Sequence, residues 1–176
     1  MKLLFSSAIL LLFFLGRESI YDINIQIVSS GQPVSMSSFA NQKIIIATIN
    51  AVNPDTVQLR YFDSLQTADK SLIIIAVPVV DSSGAGNDRQ FAKLQKSMSL
   101  DFIITRPARV TKNAGAKQHA LFRWLTNVTG NGHFDTDVRT PGQLFIISRS
   151  GILYSVLESN VPARILSGVL NQEPPK

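Results

Sequence analysis

The chain has no cysteine. That absence removes disulfides, thiolate-ligated zinc, iron–sulfur clusters, thiol nucleophiles and every thiol redox couple. Histidine is nearly as scarce, with 2 among 176 residues, so an all-histidine metal site is not expected. Phosphate loops of the Gly-x-x-x-x-Gly-Lys type are missing, and Gly84-Ala85-Gly86 lacks the third glycine of a dinucleotide fingerprint. There is no Gly-x-Ser-x-Gly elbow for a hydrolase. No cofactor is therefore expected. What is present is 45% hydrophobic and 16% charged residues. Such a composition excludes a disordered chain or a coiled coil, and the length suits one domain.

Acidic residues are also unevenly missing. Between Phe102 and Phe134 there is no Asp or Glu, while Arg106, Arg109, Lys112, Lys117 and Arg123 fall in that block and account for the net charge of +5. The block is either a solvated connecting segment or a surface for an anionic ligand, lipid headgroup or protein partner. Nucleic acid is not supported as a partner, since aromatics do not interleave with these cations and no recognition motif accompanies them.

Met1-Lys2 precedes an apolar run from Leu3 to Gly16, closed by Arg17. At about 1.5 Å per residue a helical run would reach roughly 21 Å, short of the ~30 Å hydrocarbon core. One lysine, a short apolar core and a polar continuation describe a secretory signal peptide. Phe14 stands where a small residue is wanted for cleavage, so an uncleaved short anchor in a membrane is the alternative. On this reading residues 1–18 are the export segment, 19–172 the domain and 173–176 a terminal tail, and the protein works outside the cytosol.

Hydrophobic periodicity gives the elements of the domain. Ile23 to Val28 alternates as a half-buried strand. Lys43 to Asn50 (KIIIATIN) is a continuous apolar run, expected for a central strand covered on both faces. Asn53-Pro54-Asp55-Thr56 supplies turn and N-cap chemistry for a helix whose apolar residues are Val57, Tyr61, Leu65 and Ala68. Ser71 to Val77 is a second buried strand, ended by Pro78. A helix through Phe91, Leu94 and Met98 follows, then a short strand at Phe102 to Ile104 and a helix from Ala120 to Leu125. Gln143 to Ser148 and Ile152 to Leu157 make a hairpin around Ser150-Gly151, and Val161 to Leu170 is the last helix. Two strand–helix–strand units and a hairpin predict an α/β domain with a mixed sheet, its crossovers covering both faces.

Several stretches, in order, resemble glutathione peroxidases. That family's first catalytic segment reads as an apolar strand ending in Asn, then Val-Ala-Ser-x-Cys-Gly-x-Thr, then a helix ending in Leu-Gln. Here the same spacing runs from Asn50 through Asp55-Thr56-Val57-Gln58 to Leu65-Gln66. His119 to Leu125 (HALFRWL) is similar to the family's His-Pro-Leu-Tyr-Lys-Phe-Leu. Phe145 to Gly151 (FIISRSG) is similar to its Phe-Leu-Val-Asp-Arg-x-Gly. The resemblance spans about Ile25 to Leu170 and implies a thioredoxin-like fold with an extra N-terminal β-hairpin. A redoxin of the peroxiredoxin or thiol–disulfide type is the competing branch. Thr140-Pro141 looks like the superfamily's cis-proline position, an X-Pro bond being where a cis peptide is cheap.

The resemblance implies hydroperoxide reduction and an oxidative-stress role, but its chemistry does not transfer. Aligned to the family's pattern, the nucleophile falls on Asp55, the Gln on Asp81, and the Trp-Asn pair on Thr140 and Pro141. A protein that acts by binding is thus expected. The rival is a redox-associated or metal-binding enzyme with a non-cysteine site. Asp55 reads first as an N-cap, and second as a carboxylate that meets Asp81 in the old active-site hollow. His133, Asp135 and Asp137 alternate and could face one metal if extended, although a polar turn is the plainer reading. His119 opens a helix and is expected to be structural. Asn127-Val128-Thr129 is a glycosylation acceptor if the source is eukaryotic.

Overall fold

The computed structural model describes residues 18–80 and 87–174. The alternating segment near the start forms β1 (Asn24–Gln26), antiparallel to β2 (Pro33–Ser35) as a separate hairpin. The isoleucine run is β3 (Lys43–Asn50), followed by helix α1 (Thr56–Ala68) and strand β4 (Leu72–Val79). Helix α2 (Asp88–Met98) leads to the two-residue strand β5 (Ile103–Ile104). Short helices α3 (Ala120–Thr126) and α4 (Val128–Asn131) precede β6 (Leu144–Ile147), β7 (Leu153–Leu157) and α5 (Ala163–Leu170).

The main sheet has the order β5-β4-β3-β6-β7. Strand β3 lies parallel to β4 and antiparallel to β6, so both of its edges are paired. Period-two geometry then sorts its side chains. Ile44 and Ile46 join Ile75, Val77, Phe145 and Ile147 on one face, under Leu121, Phe122 and Trp124 of α3 and Ile20, Ile23 and Ile25 of the N-terminal segment. Ile45, Ala47 and Ile49 join Ile74, Ala76 and Ile146 on the other, under Leu59 and Phe62 of α1, Phe91 of α2 and Leu166 of α5. Each fully buried isoleucine contributes about 1.5–3 kcal/mol by area, an upper bound because unfolded chains bury some surface already. Edge-to-face ring pairs lock both layers, Phe122–Phe145 at 5.9 Å and Phe62–Phe102 at 6.1 Å.

The expected mixed α/β architecture is thus present, with two differences of detail. Both crossover helices, α1 and α2, pack on the same face. From β3 to β4 to β5 the chain steps across the sheet in one direction, and right-handed crossovers then fall on one side. The opposite face is covered by α3 and the N-terminal segment instead. Secondly, Pro78 does not end its strand, since β4 runs on to Val79. The carbonyls of Ala76 and Pro78 accept from Thr105 and Ala108, so these residues present their polar groups away from β3. The missing N–H of Pro78 therefore removes nothing from the β3 ladder.

Two hydrogen bonds between residues far apart in sequence fasten the N-terminal segment, one to α3 and one to the β6–β7 turn. Trp124 Nε1 donates to Glu18 O at 2.8 Å, and the Tyr21 hydroxyl donates to Arg149 O at 3.1 Å. Gly151 turns the β6–β7 hairpin at φ +80°, where a Cβ would stand 2.8 Å from Cε2 of Tyr21. At the start of α3, His119 is the N-cap, its Nδ1 accepting from the Leu121 amide at 3.2 Å. Burial, and then the nearby Arg123, hold the His119 pKa below its ordinary 6.5.

Gly151→Ala is expected to destabilise the protein by about 1–3 kcal/mol, from left-handed strain plus displacement of Tyr21, read as a lower urea midpoint. For His119 the fold favours the neutral ring, which alone can accept at Nδ1. Its contribution is complete above the unfolded value of 6.5 and is lost as pH falls through the lower folded value. Denaturation midpoints should therefore fall on acidification below 6.5 in the wild type, and by less in His119→Asn, which keeps a cap acceptor.

Candidate functional site

Strand β3 delivers its last residue, Asn50, to the edge of a hollow at the N-terminal end of α1. Asn50 Oδ1 accepts from the amides of Val52 at 2.8 Å and Asn53 at 2.9 Å, which bends the chain out of the sheet. Two residues on, Asp55 caps α1. Its Oδ1 accepts from Val57 N at 2.9 Å and Gln58 N at 3.3 Å, as expected for an N-cap carboxylate on the positive end of a helix.

The facing wall comes from Pro141 and from Ser159 to Val161, the segment between β7 and α5. Together with Asn53, Gln58 and Tyr61 these residues enclose a hollow of about 530 Å³. Asp55 and Pro141 both line this hollow. Asp81 lies outside the described residues. The Thr140–Pro141 bond is trans, as are all peptide bonds among the described residues, which corrects the cis-proline expectation. The turn is held by other means: Gly142 N donates to Thr48 O at 2.6 Å, and Thr48 Oγ1 donates to Thr140 O at 3.3 Å. Gly142 sits at φ +99°, and a Cβ there would lie 2.6 Å from Ser159 Cβ. A glycine is needed for the two loops to touch.

Thr48 was missed by sequence reasoning. Its signal is a lone hydroxyl inside the KIIIATIN run, fully buried and bonded to the Pro141 turn. Ser159 and Asn160 carry no sequence signal, and Val161, expected to open the last helix, precedes it instead.

The lining of the hollow is amide-rich, with Asn50, Asn53, Gln58 and Asn160, and among the described residues it includes no Lys, Arg or His. Burial raises the Tyr61 pKa above 10.0, so its hydroxyl stays protonated. Val57, in the first turn of α1, is 77% exposed at the edge of the hollow, and Val52, in the loop before α1, is 73% exposed. Such a site offers hydrogen bonds and apolar contact to an uncharged group; Asp55, the one carboxylate among the described residues of the lining, is already engaged by backbone amides.

Among solved structures the chain is similar to Trgpx in its apo form, with 15% identity over 86% of this chain and 92% of that one, at a TM-score of 0.65. GPX1 of T. cruzi matches with 16% identity over 87% and 94% of the two chains, at a TM-score of 0.64. A thiol:disulfide interchange protein of the thioredoxin family from Chlorobium tepidum matches with 14% identity, over 80% and 85%, at a TM-score of 0.54. The fold is thioredoxin-like. At these identities the likeness is one of fold, and it agrees with the resemblance to glutathione peroxidases in a chain without cysteine. No protein-family model matches the chain, and a search of curated proteins finds no match.

On this thioredoxin-like fold the other expected residues are dispersed. In the basic block, Arg106 pairs with Asp88 at 2.5 Å and donates to Gln26, and Lys112 pairs with Asp135 at 2.6 Å. Arg109 is half-buried, while Lys117 and Arg123 are exposed. The block that is free of acid in sequence thus meets acid in space, and the expected anionic partner surface is corrected accordingly. The membrane expectation is corrected as well: among the described residues no helix is long and apolar enough to cross a membrane. The 3–16 run that prompted it lies outside the described residues. Asp137 accepts from the amides of Lys112 and Val138, so with Asp135 on Lys112 both carboxylates beside His133 are occupied. No group of three potential metal ligands occurs among the described residues.

Replacing Asp55 by Ala should cost about 1 kcal/mol of stability through loss of the cap, whereas Asp55→Asn should cost less. Chemical denaturation of the two variants checks the order.

Proposed function

We propose that this protein is a thioredoxin-fold relative of the glutathione peroxidases that has lost the peroxidase chemistry and acts by binding an uncharged ligand at the Asp55 hollow. One observation carries the reading. In a chain without cysteine, the N-terminal amides of α1 are already held by the Asp55 carboxylate.

Thiol peroxidases need a thiolate that attacks the O–O bond, becomes a sulfenic acid and is returned by a second thiol. A helix N-terminus assists by lowering the thiol pKa. At Asp55 the same kind of helix end meets a group that has no such redox cycle, and cap and charge are satisfied without a ligand. The positive end of α1 is therefore not available to attract an anion. What the hollow still presents is a set of amides, the hydroxyls of Tyr61 and Ser159, and the apolar Val57 at its edge, which suit a neutral polar ligand. Export to an extracytoplasmic compartment belongs to the same reading and rests on the apolar run after Lys2.

The test is hydroperoxide consumption with glutathione or thioredoxin as the electron donor. Purified protein is expected to show no thiol-dependent turnover above a heat-killed control, and turnover above it would overturn the proposal.

A further inference from the structure

Lys43, the first residue of β3, is 6% exposed. A buried ammonium is tolerated when all three of its N–H groups find acceptors. Here Nζ donates to Leu170 O, donates to Gln172 O at 2.8 Å, and pairs with Glu173 Oε1 at 3.0 Å. All three acceptors belong to the end of α5 or the residues just after it. Arg149 Nη1 reaches the same carboxylate oxygen at 2.5 Å, and the Tyr154 hydroxyl donates to Val169 O at 3.2 Å. Glu173, placed by sequence in the terminal tail, is the centre of this contact.

Along α5 Leu166 is the fully buried residue, Val169 and Leu170 pack partly buried against the same core layer, and the N-cap, Pro162, makes no side-chain cap bond. Immediately before that cap stand Ser159, Asn160 and Val161, the wall of the Asp55 hollow. One end of α5 is thus continuous with the hollow and the other is tied to Lys43. We infer that α5 and the residues through Glu173 form a strap latched at Lys43, and that releasing the latch opens the hollow at its 159–161 wall. This rests on the hollow being the working surface, whereas amide exchange reads the strap directly and is indifferent to whether a ligand binds there.

The chemistry makes the strap two-state. Loss of one acceptor with the strap closed would leave part of a buried charge unpaired. Loss of all three together hands the ammonium to water, which solvates it well. Intermediate positions are disfavoured and the segment moves as a unit.

Four charged or titratable groups face Glu173: Lys43 on β3, Asp69 after α1, Arg149 in the β6–β7 turn and Tyr154 on β7. The Lys43 hydrogen bond first, and the charges of Lys43 and Arg149, hold the Glu173 carboxyl below its usual 4.5. Asp69 is likewise held low, chiefly by the Ser71 hydroxyl and amide. Tyr154 is pushed up to about 12 by burial and then by Glu173, so it stays neutral through the acid range. Closure therefore favours ionised Glu173. It is complete above the ordinary glutamate value and is lost as pH falls through the lower folded one.

Hydrogen exchange on the full-length protein tests this with Glu173→Gln and, as a variant that fills the same space without charge, Lys43→Met. At neutral pH both should exchange at residues 163–170 and at 159–161 roughly tenfold faster than wild type, with β3 and β4 unchanged. The wild type should show the same pattern below pH 4.5, after correction for intrinsic exchange. Unchanged 163–170 exchange in either variant would overturn the latch. So would acceleration shared by β3 and β4, which is global unfolding. Faster exchange at 163–170 with wild-type rates at 159–161 would overturn the link to the hollow.

Discussion

Burial of β3 on both faces and along both edges sets the terms for everything around it. A strand so enclosed has no solvent side, so polar groups are confined to its ends or must be bonded in place. Lys43 at the first position and Asn50 at the last are end groups; Thr48 is the interior exception, bonded to the Pro141 turn. The two regions proposed to be functional, the Lys43 latch and the Asp55 hollow, therefore lie at the two ends of a single strand. Helix α1 runs alongside from Asp55 to Asp69 and spans the same two regions.

On the proposed reading Asp55 stands where a nucleophile would, and such an exchange need not disturb a fold whose stability lies in this strand and its neighbours. The residue at an N-cap contributes about 1 kcal/mol, against the many buried side chains of the two core layers. Aspartate is among the best residues for that position, because it accepts from two amides and carries the charge that the helix end favours. A catalytic thiolate at a helix end draws on those amides for reactivity. An aspartate draws on them for stability alone. The hollow that remains keeps its shape from Thr48 and Gly142, neither of which belongs to the chemistry.

Much of this was legible in the sequence, and for a definite reason. Strands enclosed on both faces are written as unbroken isoleucine, valine and alanine, so β3, β4 and β6 could be located within a residue or two. The helix start at Asp55 was equally plain, because N-cap chemistry is local. What could not be read depends on contacts distant in sequence. Arg106 and Lys112 looked like part of a basic patch until Asp88 and Asp135 came beside them in space. Pro78 looked like a strand terminator because nothing local says which way its missing N–H would point. The same limit hid the Ser159–Val161 wall and the role of Glu173, whose partners lie more than a hundred residues earlier or at the far side of a hairpin.

Asymmetry between the two ends of β3 gives the last step. At the Asn50 end the capping bonds are short-range, Asn50 to 52 and 53 and Asp55 to 57 and 58, while the Thr48 bonds to the Pro141 turn are distant in sequence. The capping contacts form with their own turn and persist while the turn does. At the Lys43 end every bond reaches across the chain to a segment with one buried helical residue of its own. Long-range contacts to a thinly anchored segment are the ones a protein can break without unfolding. On the proposed reading the hollow has one wall built by local capping, and one, resting on the Gly142 turn at Ser159, whose release is governed from the opposite end of the sheet. If the protein works by binding, selectivity belongs to the first wall and access to the second.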